Sequence, residues 1–121
     1  MSATEETVAA LALRVRNACI RLHGDTQGHC REASIILAEL LLEANVSPCI
    51  MVCQGTYGES GHFWVRIGIA GQSWVVDPTV HQFEPAAPLL LREQAAAQYK
   101  EASYLLFSQK RLADLRQQVT G

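Results

Sequence analysis

Cys30, His62 and Asp77 are the residues whose side chains could together perform thiol chemistry. A free cysteine thiol is only slightly ionised at neutral pH, so a nucleophilic cysteine needs a helix N-terminus, a nearby imidazole, or both. Cys30 follows Gly28-His29 at the expected start of a helix, where unpaired N–H groups and the helix dipole favour a thiolate. The N–H group of Cys30 is also placed to stabilise an oxyanion during acyl transfer. We therefore predict that Cys30 is a nucleophile.

His62 and Asp77 are predicted to meet across a β-hairpin. His62 opens a segment of alternating polarity, and Asp77 ends the next apolar segment, Trp74-Val75-Val76-Asp77. With a loop of two or four residues centred near Ala70-Gly71, Asp77 lies opposite Trp64 and diagonal to His62, at a backbone separation of roughly 7–8 Å. Two side chains can close that gap. A carboxylate there would fix the tautomer of the imidazole and support its protonated form, so we predict His62 as the base and Asp77 as its orienting group.

Two helices must position the cysteine. Apolar residues at every third or fourth position predict a first helix from about Ala3 to Leu22, which Gly24 would end. A second helix is predicted from about Cys30 to Ala44. Because it is apolar around most of its circumference, we expect it to be the central and most buried helix.

The spacing of apolar residues changes to every second position after Pro48. This change predicts antiparallel strands at Cys49–Gly55, at His62–Ile69 and at Trp74–Asp77, with a glycine-punctuated loop from Thr56 to Gly61. Farther along, helices are predicted at Leu89–Lys100 and Gln109–Val119, and the segment Tyr104–Phe107 between them fits either a strand or a helix. Residues 1–121 are thus expected to form a single α+β domain, in which the central helix packs on a small antiparallel sheet with flanking helices.

The composition favours a globular cytoplasmic protein. Hydrophobic residues make up 49% of the chain and charged residues 18%, which suits a packed core and argues against a disordered chain. A formal net charge of −2 gives no broad positive field, so we expect no nucleic-acid partner. The acidic N-terminus is unlike a secretory signal, and no apolar stretch approaches a membrane span. In this compartment we expect free thiols, with Cys19, Cys49 and Cys53 as small buried residues.

Three short motifs occur in order along the chain. They are Gly28-His29-Cys30 at the opening of a helix, His62-Phe63-Trp64-Val65 on a strand, and Trp74-Val75-Val76-Asp77-Pro78-Thr79 on the next strand. The set resembles the transglutaminase-like core of the papain-related superfamily, in which a Cys, a His and an Asp occupy those three elements in that order. The resemblance covers about residues 24–84. It implies a papain-like, transglutaminase-like fold with a Cys30-His62-Asp77 triad.

The resemblance also implies cysteine-based acyl transfer with no cofactor. The group most similar is the bacterial transglutaminase-like cysteine proteinases, so the expected activity is that of a cysteine protease or amidase that cleaves a peptide or isopeptide bond in a peptide or protein substrate. Gln27 is the nearest glutamine for an oxyanion donor, and Trp64 is expected beside the substrate. A transglutaminase, a protein-glutamine deamidase and a catalytically silent binding domain of the same fold stay open as alternatives. The stretch Gly28–Glu32 resembles arylamine N-acetyltransferases less closely, because that family is longer and lacks Pro-Thr after its aspartate.

Some of these residues also fit other assignments. Asp-Pro is a frequent turn opener, so Asp77 could simply begin a turn, and His81 or Asp25 could replace the base or the orienting group. Cys19 and His23 are four residues apart on a helix, and His29, Cys30 and His81 could complete a metal site with them. The chain has no Cys-x-x-Cys pair, however, and we predict no metal. The sequence leaves the oligomeric state open.

Overall fold

The computed structural model describes residues 2–25 and 27–107. Two α-helices lead into a sheet of five strands. The helices are α1 (Ala3–His23) and α2 (Cys30–Glu43), and the strands are β1 (Ile50–Tyr57), β2 (Ser60–Ile69), β3 (Gln72–Val76), β4 (Leu90–Arg92) and β5 (Tyr99–Phe107). Single turns of 3-10 helix occur at Val80–Gln82 and Glu93–Ala95. The fold is therefore mixed helix and sheet, as an α+β domain requires.

Local signals in the sequence explain where the helices begin and end. The Ser2 side chain accepts a hydrogen bond from the backbone N–H of Glu5, and the Glu5 carboxylate accepts one from the backbone N–H of Ser2, which forms a capping box at the start of α1. Gly24 ends α1 with a φ of 86°, a left-handed conformation that glycine adopts without strain. The second helix, α2, begins at Cys30. The predicted start of the second helix is thus where the structure has it.

The sheet is antiparallel throughout, with the strand order β4-β3-β2-β1-β5. Strands β2 and β3 are joined by the two-residue turn Ala70-Gly71, whose φ angles of 51° and 79° suit a tight hairpin. Within the hairpin, Val65 pairs with Val76. The next pair in that register sets Trp64 opposite Asp77, which is the alignment that the alternating pattern predicted.

The core lies on both faces of the sheet. One cluster packs α1 and α2 against Ile50, Val65, Ile67 and Val76, and Leu37 and Leu41 of α2 are fully buried in it. This burial confirms that α2 is a central helix. A smaller cluster on the other face contains Cys53, Trp64, Val75 and Ala96. Alternate residues of β2 and β3 therefore face different clusters, and both are buried.

Two predicted elements are wrong. The segment Leu89–Lys100 is not a helix: β4 pairs with β3, and the chain then enters β5, which pairs with β1. Its alanine-rich stretch has high helix propensity, but both edges of the β1–β3 meander offer unpaired backbone groups, and pairing with them prevails. The loop predicted at Thr56–Gly61 is only the two-residue turn Gly58-Glu59, because the residues on either side of it belong to β1 and β2.

The remaining predictions concern the C-terminal segments and the four cysteines. Tyr104–Phe107, left open between helix and strand, lies in β5. The helix predicted at Gln109–Val119 lies outside the described residues. All four cysteines are free thiols, and Cys19 and Cys53 are buried as predicted. Cys49 is exposed, because it lies one residue ahead of β1, in the bend that follows Pro48.

Candidate active site

His62 and Asp77 form a buried hydrogen-bonded pair. The Nε2 atom of His62 lies 2.7 Å from Oδ2 of Asp77, and the two residues are 2% and 1% exposed. The hairpin register creates this contact, because His62 lies diagonal to Asp77 across β2 and the end of β3. The structure therefore brings together two of the three predicted residues as the sequence indicated.

Asp77 accepts hydrogen bonds on both carboxylate oxygens. Oδ1 accepts from the backbone N–H of Thr79 at 3.0 Å and from the Thr79 hydroxyl at 3.2 Å. Oδ2 accepts from the hydroxyl of Tyr99 at 2.8 Å as well as from His62. The Asp-Pro-Thr sequence thus forms a turn and also fixes the carboxylate, so the turn and the orienting role coexist at Asp77. Four donors hold this side chain in one orientation, as a group that orients an imidazole requires.

Cys30 is the first residue of α2 and is partly exposed. Its thiol interacts with the imidazole of His62 and with the backbone N–H groups of Phe63 and Arg31. Partial burial opposes ionisation, but these donors together lower the pKa of the thiol below its ordinary value. The helix N-terminus and the imidazole therefore both favour a thiolate at this position.

The two ring nitrogens of His62 have different surroundings. Nε2 is engaged by Asp77, whereas Nδ1 is buried and makes no hydrogen bond of normal geometry within the part of the chain that the structure describes. Nδ1 is thus the ring nitrogen that remains for the interaction between His62 and the Cys30 thiol.

The His62 ring is more basic than an ordinary histidine. Burial lowers its pKa, but the hydrogen bond with Asp77, the interaction with Cys30 and the negative charges of both groups raise the pKa to about 9. The pKa of the thiol moves down while that of the imidazole moves up. Both shifts favour the charged form of their group, the thiolate of Cys30 and the imidazolium of His62.

Aromatic side chains surround His62. The ring of Phe83 meets it edge to face with centroids 4.9 Å apart, Trp64 lies parallel at 6.0 Å, and Tyr57 and Tyr99 lie at 6.2 and 6.3 Å. This enclosure keeps water from the His62–Asp77 pair, which strengthens their electrostatic interaction. Tyr57, at the end of β1, also stacks on Phe83 at 4.7 Å and donates a hydrogen bond to the carboxylate of Glu84. These contacts hold the segment that follows β3 over the imidazole of His62.

No protein-family model, curated protein or solved structure matches this chain. Among the described residues, no helix combines the length and the apolar character that crossing a membrane requires.

Gln27 and Trp64, the two further residues predicted for the site, have contrasting exposures. Gln27 is exposed in the loop before α2, where its backbone N–H donates to the side chain of Asp25 at 3.2 Å, and its oxyanion role stays a prediction. Trp64 is 2% exposed and packs on His62 and Tyr99, so it is a wall behind the imidazole rather than a surface for substrate. The alternation of β2 placed Trp64 beside His62, but it did not reveal that this face of the sheet is covered.

Tyr99 and Phe83 contact the site but were absent from the sequence prediction. Tyr99 fell within the segment assigned to a helix, so no register connected it with Asp77. Phe83 belongs to an irregular segment, for which no periodicity exists. The alternative base is excluded by its partners: Nδ1 of His81 accepts from Arg16 at 2.6 Å, and Nε2 donates to the carbonyl of Ala87 at 2.8 Å.

A groove of about 540 Å³ runs between α1 and α2, but Cys30, His62 and Asp77 do not line it. His23, His29 and Glu32 lie along this groove instead. This groove and the Cys30–His62–Asp77 site are therefore at different places.

Proposed function

We propose that this protein is a thiol-dependent acyl-transfer enzyme of the transglutaminase-like, papain-related type. One observation carries the proposal: Asp77 binds Nε2 of His62, which leaves Nδ1 for the partly exposed thiol at the first residue of a helix. Nucleophile, base and orienting group thus follow in the sequence order of that superfamily, on a helix, a strand and the end of the next strand.

The proposed reaction begins with the thiolate of Cys30. Its sulfur attacks the carbonyl carbon of an amide, and the electron pair of the carbonyl moves to oxygen, where the Cys30 N–H at the helix N-terminus stabilises the oxyanion. His62 as imidazolium then donates its proton to the departing nitrogen as the carbon–nitrogen bond breaks. The products of this half-reaction are an amine and a thioester at Cys30.

The second half-reaction releases the acyl group. Neutral His62 removes a proton from water, the resulting hydroxide attacks the thioester, and the thiolate leaves. Hydrolysis of a peptide or isopeptide bond is the activity we favour, with a peptide or protein as the substrate. The same thioester would yield transglutamination if a primary amine replaced water, and deamidation if the first departing group were ammonia from a glutamine side chain.

The first test measures the reactivity of the thiol. Iodoacetamide should label Cys30 rapidly at mildly acidic pH in the wild-type chain, and Cys30→Ala should abolish this rapid phase. Cys49→Ser is the matched control, because Cys49 is the exposed thiol without an imidazole and its removal should leave the rapid phase unchanged. Equal rapid labelling of wild type and Cys30→Ala would refute the proposal, and an ordinary thiol pKa near 8.5 would favour a silent binding domain.

The second test separates the possible acceptors. Glutamine-containing peptides and isopeptides would be incubated with the protein, with and without a fluorescent primary amine, and the products identified by mass. Cleavage without amine incorporation is the expected result. Amine incorporation would identify a transglutaminase, and a mass increase of one unit on glutamine a deamidase; each product should disappear in Cys30→Ala.

A further inference from the structure

Three side chains with metal-binding atoms meet where α1 ends and α2 begins. His23 is the last residue of α1, His29 is the N-cap of α2, and Glu32 lies in the first turn of α2. One ligand atom from each lies within 4.8 Å of the other two. We propose that His23, His29 and Glu32 bind a divalent transition-metal ion, with Zn²⁺ the ion that best fits their chemistry.

The donor set supports this choice of ion. Two imidazoles and one carboxylate make a three-ligand zinc site that leaves a fourth position for water or another ligand. His29 and Glu32 are three residues apart at a helix start, a spacing that places both side chains on one face. Imidazole ligands favour zinc, copper and nickel over magnesium and calcium, which prefer oxygen.

Binding requires a small rearrangement. Zinc–ligand distances of about 2.0–2.1 Å in a tetrahedron place neighbouring ligand atoms about 3.4 Å apart, so atoms that lie up to 4.8 Å apart must approach by at most about 1.4 Å. The imidazoles of His23 and His29 stack with centroids 3.8 Å apart and planes at 12°. Lone pairs lie in the ring plane, so one ring must rotate before both can point at a single ion. His23 is exposed at the end of its helix and can make that rotation.

The surroundings provide access and some negative charge. The three residues lie along the groove between α1 and α2, which opens to solvent. Burial raises the pKa of the Cys19 thiol, which also lines the groove, and the negative charges of Glu32 and Asp25 raise it further. Two carboxylates are therefore close to this part of the groove. Arg14 and Arg21 also line the groove and oppose a cation, and the affinity must therefore come from direct coordination rather than from the general field.

A bound ion would tie together the two helix ends. Residues 24–28 connect His23 with His29, and Gly24 and Gly28 both have positive φ angles in this connection. Coordination at both ends would restrict the loop that precedes Cys30. This set of ligands differs from the one that the sequence suggested. His81 is engaged by Arg16 and Ala87, so it does not belong to the site, and Glu32 takes its place.

The experiment titrates Zn²⁺ into the full chain after treatment with a chelator, with calorimetry and thermal unfolding as readouts. We expect one ion per chain and a rise in melting temperature of several degrees, because an ion that binds only the folded state stabilises it. His23→Ala and Glu32→Gln should each weaken binding by roughly tenfold or more, since each removes one of three protein ligands. Glu39→Gln, on the same helix but outside the groove, is the matched control and should bind as wild type does.

Thiol ligands are the competing explanation. Co²⁺ substitution distinguishes them, since a cysteine ligand gives a thiolate-to-metal charge-transfer band and this site should give none; Cys30→Ala should also bind normally. Absence of stoichiometric binding, unchanged affinity in His23→Ala and Glu32→Gln, or loss of binding in Cys30→Ala would overturn the proposal. None of these results bears on thiol catalysis, which is tested by labelling without metal.

Discussion

Cys30 and Cys53 are two thiols in contrasting surroundings. Burial opposes ionisation of both, yet the pKa of Cys30 is lowered, whereas that of Cys53 is raised to about 12. Cys30 interacts with an imidazole and backbone N–H groups, whereas the thiol of Cys53 donates to the carboxylate of Glu101 at 3.1 Å. Burial raises the pKa of both thiols, and the comparison shows that the partner decides whether this effect is reversed, as at Cys30, or reinforced, as at Cys53.

The largest expected effect is the dependence of folding stability on pH, through the imidazole that interacts with Cys30. The folded-state pKa of His62, about 9, exceeds the value of 6.5 for an unperturbed ring. The ring thus binds a proton more tightly in the folded state, which adds stability that is complete below about pH 6.5 and is lost as the pH rises through 9. Cys30 contributes to this shift, so in Cys30→Ala, where Asp77 alone raises the pKa of the ring, we expect the free energy of unfolding to fall across this range by less than the roughly 3 kcal/mol that the full shift represents.

Urea unfolding of Cys30→Ala at several pH values would measure that decline. The double variant Cys30→Ala/His62→Asn lacks the titrating ring and should show a much smaller decline. Parallel curves for the two proteins would mean that the Asp77 carboxylate does not hold a proton on His62.

The second prediction removes the imidazole from Cys30. His62→Asn should return the thiol pKa toward its ordinary value, because the largest influence that lowers it is the interaction with His62. Each unit of increase reduces the thiolate fraction about tenfold at mildly acidic pH, so we expect labelling by iodoacetamide to slow on the order of tenfold or more. The rate should be followed by mass spectrometry at Cys30. An unchanged rate would show that the helix N-terminus alone activates the thiol.

The third prediction removes the negative charge beside the thiol of Cys53. Glu101→Gln removes the charged acceptor, and Arg66, which forms an ion pair with Glu101 at 2.9 Å, would then act on the thiol without its partner. We expect the pKa of Cys53 to fall by about one unit or more, while burial still keeps it above that of a free thiol. NMR of ¹³C-labelled cysteine would measure it. Glu93→Gln is the matched control, because Glu93 lies 3.9 Å from Arg66 but is exposed and does not contact Cys53.

The smallest effect concerns the tyrosine that shares Oδ2 of Asp77 with His62. Tyr99→Phe removes one of four hydrogen bonds to the buried carboxylate and should cost about 1–2 kcal/mol of folding stability. It should also raise the pKa of His62, because Oδ2 then serves the imidazole alone. Denaturant unfolding and NMR titration of the ring test the two effects separately. Tyr104→Phe, at an exposed position of β5, should change neither quantity.

The predictable part of the site is the part made by neighbouring elements in the chain. Cys30 was located because a glycine precedes an apolar helix, and the His62–Asp77 contact because β2 and β3 alternate around a two-residue turn. Tyr99 could not be predicted, since β5 crosses the sheet to pair with β1 and its preceding segment, around Ala95, has the composition of a helix. The local pattern therefore predicted α1, α2 and the β1–β3 meander. The two edge strands, β4 and β5, depend on pairing between distant segments, which the local pattern does not contain.

The pattern of β2 also could not predict how deeply the site is buried. Alternation distinguishes the two faces of a strand but does not indicate whether a second layer covers the polar face. Here Tyr99 and the segment containing Phe83 cover it, so His62 and Trp64 are as buried as the residues that face the helices.

The turn at Ala70-Gly71 has a consequence for how this chain can vary in length. A side chain changes face whenever the pairing slips by one position, so inserting or deleting a single residue there would turn the carboxylate of Asp77 away from the imidazole and would also move Val76 out of the cluster that packs on the helices. Length changes at this tip are therefore tolerated only in steps of two, and natural relatives that retain the pair should carry an even number of residues between the two strands.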